Sequence, residues 1–150
     1  MTLLNNDYTF SLIDFGTPAH DETVRLRRDI LRIPLGLEFY AKDLALEYDQ
    51  YHLAGYDTNG DLVACLVLKS LPNYEIKMRQ VSVREDVQNK GIGQLMVTAS
   101  EDLSRKMGFK KMVLHARKTA VPFYKKQNYK TSGKEFLEVD IPHFKMAKNL

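Results

Sequence analysis

Residues 88–93 read Gln-Asn-Lys-Gly-Ile-Gly and lead into Ile92, Leu95, Met96, Ala99, Leu103 and Met107, whose three- and four-residue spacing predicts an amphipathic helix. No acidic side chain stands in its first turn, the end of a helix dipole that acids normally favour. Glycines there keep Cβ atoms clear of the unpaired N–H groups of a helix start. Such amides and the dipole together suit an anion; the competing reading is that the glycines only permit a tight turn and close packing. Glu85 and Asp86, just upstream, must then point away. Two anion motifs are excluded. A phosphate loop needs Lys-Ser or Lys-Thr after its last glycine, and a dinucleotide fingerprint needs a small residue where Met96 stands.

The strand that feeds this turn carries a slip in phase. Ile76 and Met78 share one parity while Val81 and Val83 share the other, although strict alternation would keep all four on one face. An extra residue near Arg79 to Val81 restores the phase, and such a β-bulge frees backbone groups to bind something else. The alternative is that one apolar pair faces a second buried layer.

The elements around these features alternate in kind, which predicts an α/β fold. Tyr8 to Asp14 alternates as a half-buried strand, and a helix follows from about Ala19 to Ile33, ended by Pro34 and Gly36. The segment from Pro34 to Gln50 is ambiguous, with room for a short helix. His52 to Tyr56 and Leu62 to Leu68 read as strands joined by DTNGD, whose Asn59-Gly60 pair supplies positive φ. LVACLVL is apolar on both faces and belongs centrally in the sheet. Arg105 and Lys106 close the long helix with Gly108 as a left-handed cap, and EFLEVDIPHFKM supplies the final strand.

With 150 residues, 44% hydrophobic and 27% charged, the chain fits one domain. Net charge of +3, spread along the chain, points away from a nucleic-acid partner. No run approaches the roughly 20 apolar residues of a membrane span. The first residues, MTLLNNDYTFSLIDF, lack a secretory leader pattern, and the single Cys65 fits a reducing cytoplasm. No His, Cys and carboxylate cluster shows metal-ligand spacing, so no metal is expected.

QNKGIG fits every specified position of [Q/R]-x-x-G-x-[G/A], with VSV ahead, RKMGFKKMVLHA behind and then AVPFYKKQNYKTSG. In this combination the chain resembles the GNAT superfamily of N-acetyltransferases, most strongly over Leu62 to Leu150. LRRDILRIPLG, LHARKTAVPFY and EVDIPHFKMAK look like a bacterial branch of small stand-alone members. The resemblance implies a mixed, mostly antiparallel sheet flanked by helices, with splayed parallel strands at an acetyl-CoA cleft. It implies that Val81, Ser82 and Val83 meet the pantetheine arm and acetyl carbonyl through their backbone. It further implies that Gln88, Asn89 and Lys90, with Gly91, Ile92, Gly93 and Gln94, wrap the pyrophosphate. Many members carry Asn where Arg117 stands, so this guanidinium has either a cofactor role or one toward a phosphate or substrate carboxylate.

The implied reaction is direct transfer of an acetyl group to a primary amine of a small molecule or peptide, and it needs a base and an acid. Tyr124 stands where the family places its catalytic tyrosine, with Thr119 as a helix cap and Pro122 in the first turn. His115 and His143 are candidate bases, His143 also a candidate for the acceptor pocket, with Glu75 and Glu138 or a water relay as lesser alternatives. Cys65, within an apolar run, reads as a buried inert thiol rather than a nucleophile. Arg25, Arg28 and Arg32 share one helix face, which reads as a solvated stripe, the other reading being attraction of an acidic substrate group. The rival to an enzyme is a non-catalytic CoA-binding module, with a nucleotide-binding protein ranked last. A homodimer fits the family habit.

Overall fold

The computed structural model describes residues 7–150; the leader reading of the first six residues lies outside them. Among the described residues seven strands form one sheet: β1 (Thr9–Ile13), β2 (Tyr51–Tyr56), β3 (Leu62–Leu71), β4 (Glu75–Val83), β5 (Lys111–Arg117), β6 (Lys130–Glu138) and β7 (Ile141–Asn149). Their order is β1-β2-β3-β4-β5-β7-β6, and every neighbouring pair is antiparallel except β4 with β5. Both faces are covered. On one, Ile92, Met96 and Val97 of helix α3 (Ile92–Lys106) join Ala64, Leu66, Leu68 and Met78 in a core excluded from water. On the other, the Cys65 thiol reaches the Thr23 carbonyl of α1 (Pro18–Arg27) at 3.7 Å. Residues Val63 to Leu68 are all buried, because β3 is sandwiched between these two helical layers, as its two-sided apolar pattern predicts.

The phase slip in β4 is a bulge. Val67 pairs with Arg79 and Cys65 with Ser82, so two steps on β3 face three on β4. Gln80 absorbs the extra residue at φ 57°, and Val81 and Val83 thereby rejoin the core that Ile76 and Met78 occupy. Pairing between β4 and β5 covers only Glu75–Met78 against Lys111–Leu114. Beyond it the two strands splay.

Several local expectations are corrected. Helix α1 does not run uniformly to Ile33: it widens into a π-helical turn at Arg28–Arg32 and tightens into a 3₁₀ turn at Ile33–Leu35, which Gly36 closes at φ 69°. Pro34 sits inside that turn. In the β2–β3 loop Gly60 has positive φ and Asn59 does not; the Asp57 carboxylate instead accepts the amides of Asn59 and Asp61, both at 2.9 Å. The short helix α2 spans Ala41–Ala45. EFLEVDIPHFKM is not one strand: Val139 and Asp140, at φ 46° and 60°, turn the chain between β6 and β7. Both residues have the positive φ of a type I′ hairpin, but Val-Asp lacks the glycine that would announce it.

Helix α3 buries a broader face than its apolar stripe. Ser100, Glu101 and Ser104 are buried as well. The serine hydroxyls donate to the Val97 and Ser100 carbonyls, each at 2.7 Å, while Glu101 accepts from Tyr129 at 2.8 Å and from Lys148 at 3.0 Å. Satisfied in this way, polar groups are admitted to the interior. The helix ends as its sequence predicts, with Gly108 at φ 93°. Among the described residues no helix is long and apolar enough to cross a membrane.

Candidate active site

The splay between β4 and β5 opens a cavity of about 390 Å³, within the size range of small-molecule sites. Val81 from the bulge, His115 and Arg117 from β5, Tyr124 from α4 (Val121–Lys125), Glu138 from the tip of β6 and His143 from β7 all line it. The fold therefore gathers Val81, Tyr124, Arg117 and both candidate bases at one place. It leaves Ser82 outside: Ser82 pairs with Cys65, and its hydroxyl donates to the Gln80 carbonyl at 3.2 Å. Glu75, paired with Lys111 at the far end of β4, also lies away from the cleft.

Gln88 to Gln94 form a separate wall beyond the bulge. Gly91 holds the α3 start at φ 84°, with Asn89 at 64°. Among the described residues, no acceptor in the chain takes the amides of Asn89 through Gln94; the first helical bond runs from Leu95 N–H to the Gly91 carbonyl at 3.1 Å. Those amides form a donor array at a positive dipole end. Gly93 also has a packing reason, since a Cβ there would lie 3.3 Å from the Phe123 ring. Gln88 turns back, its Nε2 donating to the Val83 carbonyl at 2.9 Å, so that backbone oxygen is already engaged. Asp86 does not oppose an anion, because Arg84 Nε grips it at 2.6 Å.

Tyr124 is buried against Tyr129 and Phe123, with ring centroids 5.7 and 5.0 Å away. Burial pushes its pKa up to about 12. Thr119 does not cap α4. It lies inside the 3₁₀ turn Lys118–Ala120 that precedes the helix.

Glu138, a minor candidate in the sequence, links the two candidate bases. Its Oε1 lies 3.0 Å from His115 Nδ1, and its Oε2 lies 3.6 Å from His143 Nε2. His143 Nδ1 faces the Ile141 carbonyl at 2.7 Å. That oxygen can only accept, so Nδ1 carries a proton, and when the ring is neutral the lone pair of Nε2 faces Glu138.

The arginine stripe is solvated at Arg25 and Arg28 but not at Arg32, and Arg27 beside it is buried. Arg27, 1% exposed, makes a two-pronged ion pair with Glu47, each prong 2.9 Å, and Arg79 joins Glu47 at 3.0 Å. Arg32 leaves the π-helical turn to lie 4.5 Å over the Phe39 ring and lines the cleft. Arg25 and Arg28, the latter paired with Glu38 at 2.6 Å, match the exposed reading.

The fold also assembles a cluster that sequence spacing hides: ligand atoms of His20, Glu47 and His52 lie within 4.8 Å of one another, all buried. Its donor set suits hydrogen bonding better than a cation. Both Glu47 oxygens already serve guanidinium groups. His20 Nδ1 accepts from the Gly16 amide at 3.2 Å, which puts that ring's proton on Nε2 rather than a lone pair. Cys65 is buried, its thiol pushed up to about 12 by desolvation, as the inert reading requires.

Comparison with known proteins gives this architecture relatives. YjcF of Bacillus subtilis strain 168, named an uncharacterized N-acetyltransferase, is 36% identical over 74 residues, 49% of this chain and 53% of that protein. The match thus spans about half of that relative. A Lactobacillus plantarum protein crystallised as a candidate N-acetyltransferase superposes at a TM-score of 0.84 with 21% identity, covering 97% of this chain and 99% of that one. A GNAT family acetyltransferase from Elizabethkingia anophelis, crystallised with acetyl-CoA bound, superposes at 0.74 with 17% identity, covering 97% and 100%. These two show the fold, a single-domain α/β sheet with one parallel pair and flanking helices. Residues 38–150, well over half of the chain, match the acetyltransferase (GNAT) domain, and the protein therefore belongs to the GNAT acetyltransferase family.

Proposed function

We propose that the protein is an acetyl-CoA-dependent N-acetyltransferase that passes the acetyl group directly to an amine while both substrates are bound. The observation that carries this reading is the continuity of bulged β4 with the acid-free start of α3. Among the described residues Gln80 and Val81 have no ladder partner, so amides there are available to an acyl carbonyl and the thioester arm. The unpaired amides of Asn89 through Gln94 suit a pyrophosphate. Both donor sets are fixed by the backbone before any ligand arrives.

On the acceptor side the attacking nitrogen must be neutral. His115 is placed to take its proton: Nδ1–H donates to Glu138, which leaves the lone pair of Nε2 available. With its ring neutral, His143 turns an acceptor atom toward Glu138 at 3.6 Å, a seat that fits an amine N–H. As the C–N bond forms and the C–S bond breaks, the Tyr124 hydroxyl donates to the leaving sulfur. With a pKa of about 12 the phenol is a weaker acid than a thiol at about 8.5. Its part is therefore a hydrogen bond to the developing thiolate, and the net proton comes from the amine. The Val81 amide polarises the acyl carbonyl, a contribution of up to several kcal/mol where one such donor has been removed from other enzymes.

Thiol release from acetyl-CoA across a panel of amines, with mass detection of acetylated product, tests the proposal. Acetyl-CoA binding with no amine accelerating thiol release would replace it with the CoA-binding module.

A further inference from the structure

The cleft holds charges that transfer to a simple amine does not require. Arg32, Lys77, Arg79 and Arg117 line it, against Glu138 as its one carboxylate among the described residues. Arg79 shares Glu47 with Arg27 and is bonded to Gln50 at 2.7 Å. Arg32, Lys77 and Arg117 form no ion pair among the described residues. Three cations left without counter-ions around one cavity repel each other and lose hydration together. The strain shows in the titration of Arg32 and Lys77. Burial lowers the Arg32 pKa, and Arg27, Arg117 and Arg79 lower it further; burial likewise lowers Lys77, with Arg79, Lys69 and Lys145 adding to it and Glu138 opposing.

Delivery of Arg32 to the cleft is a feature of the backbone. It leaves α1 in the π-helical turn Arg28–Arg32, a distortion that recurs at functional sites, and its guanidinium is steadied on the Phe39 ring. The opposite polarity lies at Glu138, His115 and His143. Gln80 adds a buried Oε1 that has no donor among the described residues.

We infer that the acceptor is a small amine that also carries an anionic group, a carboxylate or a phosphate, held by Arg32, Lys77 and Arg117 while its ammonium lies at Glu138 and His143. The inference rests on the acetyl-transfer reading for what happens to that amine, but not for its binding. A guanidinium suits either anion, since its planar fork matches both geometries.

The experiment pairs each anionic amine with a neutral counterpart: α-amino acids with their carboxamides, and amino-sugar phosphates with the free amino sugars. Thiol release from acetyl-CoA and calorimetric binding to the CoA-saturated protein are measured for every pair. The anionic member of at least one set is expected to be preferred by about 10²-fold in kcat/KM and in affinity, because unpaired, half-buried charges reject the analogue that lacks the partner. The set that shows the preference identifies carboxylate or phosphate. Carboxamides have the less basic amines, so a preference for the acids runs against that bias. Arg32→Gln and Lys77→Gln are expected to cut the preference about tenfold each, with melting temperature checking that both variants fold. Neutral members that bind as well as anionic ones, or no binding by either, overturn the inference whatever the turnover. Anionic amines that bind selectively without thiol release sustain it and overturn acetyl transfer instead.

Discussion

Glu138 Oε1 lies 3.0 Å from His115 Nδ1 although the residues are 23 positions apart, and the same carboxylate addresses His143 through its other oxygen. Burial alone would raise the Glu138 carboxyl, but the His115 hydrogen bond, with the charges of His115 and His143 when protonated and that of Lys77, outweighs it and holds the pKa below its ordinary value. The group therefore stays ionised at neutral pH and can anchor an imidazole. Glu138→Gln and His115→Gln are each expected to lower kcat by about 10²-fold, whereas His143→Gln acts mainly on the KM of the acceptor. Steady-state thiol release checks the assignment; a variant set in which His143→Gln alone loses kcat would reverse the two histidines.

Tyr124→Phe removes one buried oxygen and keeps the ring that packs on Phe123 and Tyr129. Among the described residues the Tyr124 hydroxyl makes no hydrogen bond, so folding is expected to change little. A fall in kcat of about 10²-fold, with acetyl-CoA affinity nearly unchanged, is expected. Full turnover in this variant would remove Tyr124 from the chemistry.

The Arg27–Glu47 pair is a structural keystone on the α1 face. Desolvation would raise the Glu47 carboxyl, but hydrogen bonds and charge from Arg27 and Arg79 hold it below its ordinary 4.5. A depressed carboxyl contributes stability that is complete above the unfolded value and is lost as pH falls through the lower folded value. Glu47→Gln leaves Arg27 buried without a countercharge and is expected to cost about 3–5 kcal/mol. Urea unfolding at neutral pH measures it, and a loss below about 1 kcal/mol, the scale of an exposed pair, would contradict the reading.

His20 and His52 lie edge to face with ring centroids 4.7 Å apart. Both have lowered pKa values: burial is the largest cause for each, with His52 and Arg27 adding to it at His20, and Arg27 and Arg79 at His52. The native state therefore binds fewer protons than the unfolded chain below the ordinary value of 6.5, and stability falls as pH drops from there toward the folded values. His52→Gln is expected to flatten this slope in melting temperature between about pH 6.5 and 5. An unchanged slope would rule the pair out as its source.

Features that arise within a few neighbouring residues are legible in the linear chain. The parity change between Met78 and Val81 announces the bulge because side-chain alternation is a local geometric rule. The glycines at 91 and 93, without an acid in the following turn, announce the donor array because a helix start must leave its amides open. Tyr124 is placed by its motif.

Other features depend on which strands become neighbours. Glu138 meets His115 because Val139 and Asp140 turn β6 onto β7, which lies against β5; without a glycine signal the segment reads as one strand. Arg32 reaches the cleft through a π-helical turn that a 3.6-residue period cannot anticipate. Arg27 looks like a surface charge until α2 and the turn after it bring Glu47 beside it. Short-range spacing thus determines the amides of the proposed donor side, since backbone amides follow from backbone geometry. The charges of the proposed acceptor side come together by long-range packing, because they belong to four separate elements and their mutual distances exist only once the sheet has closed its order.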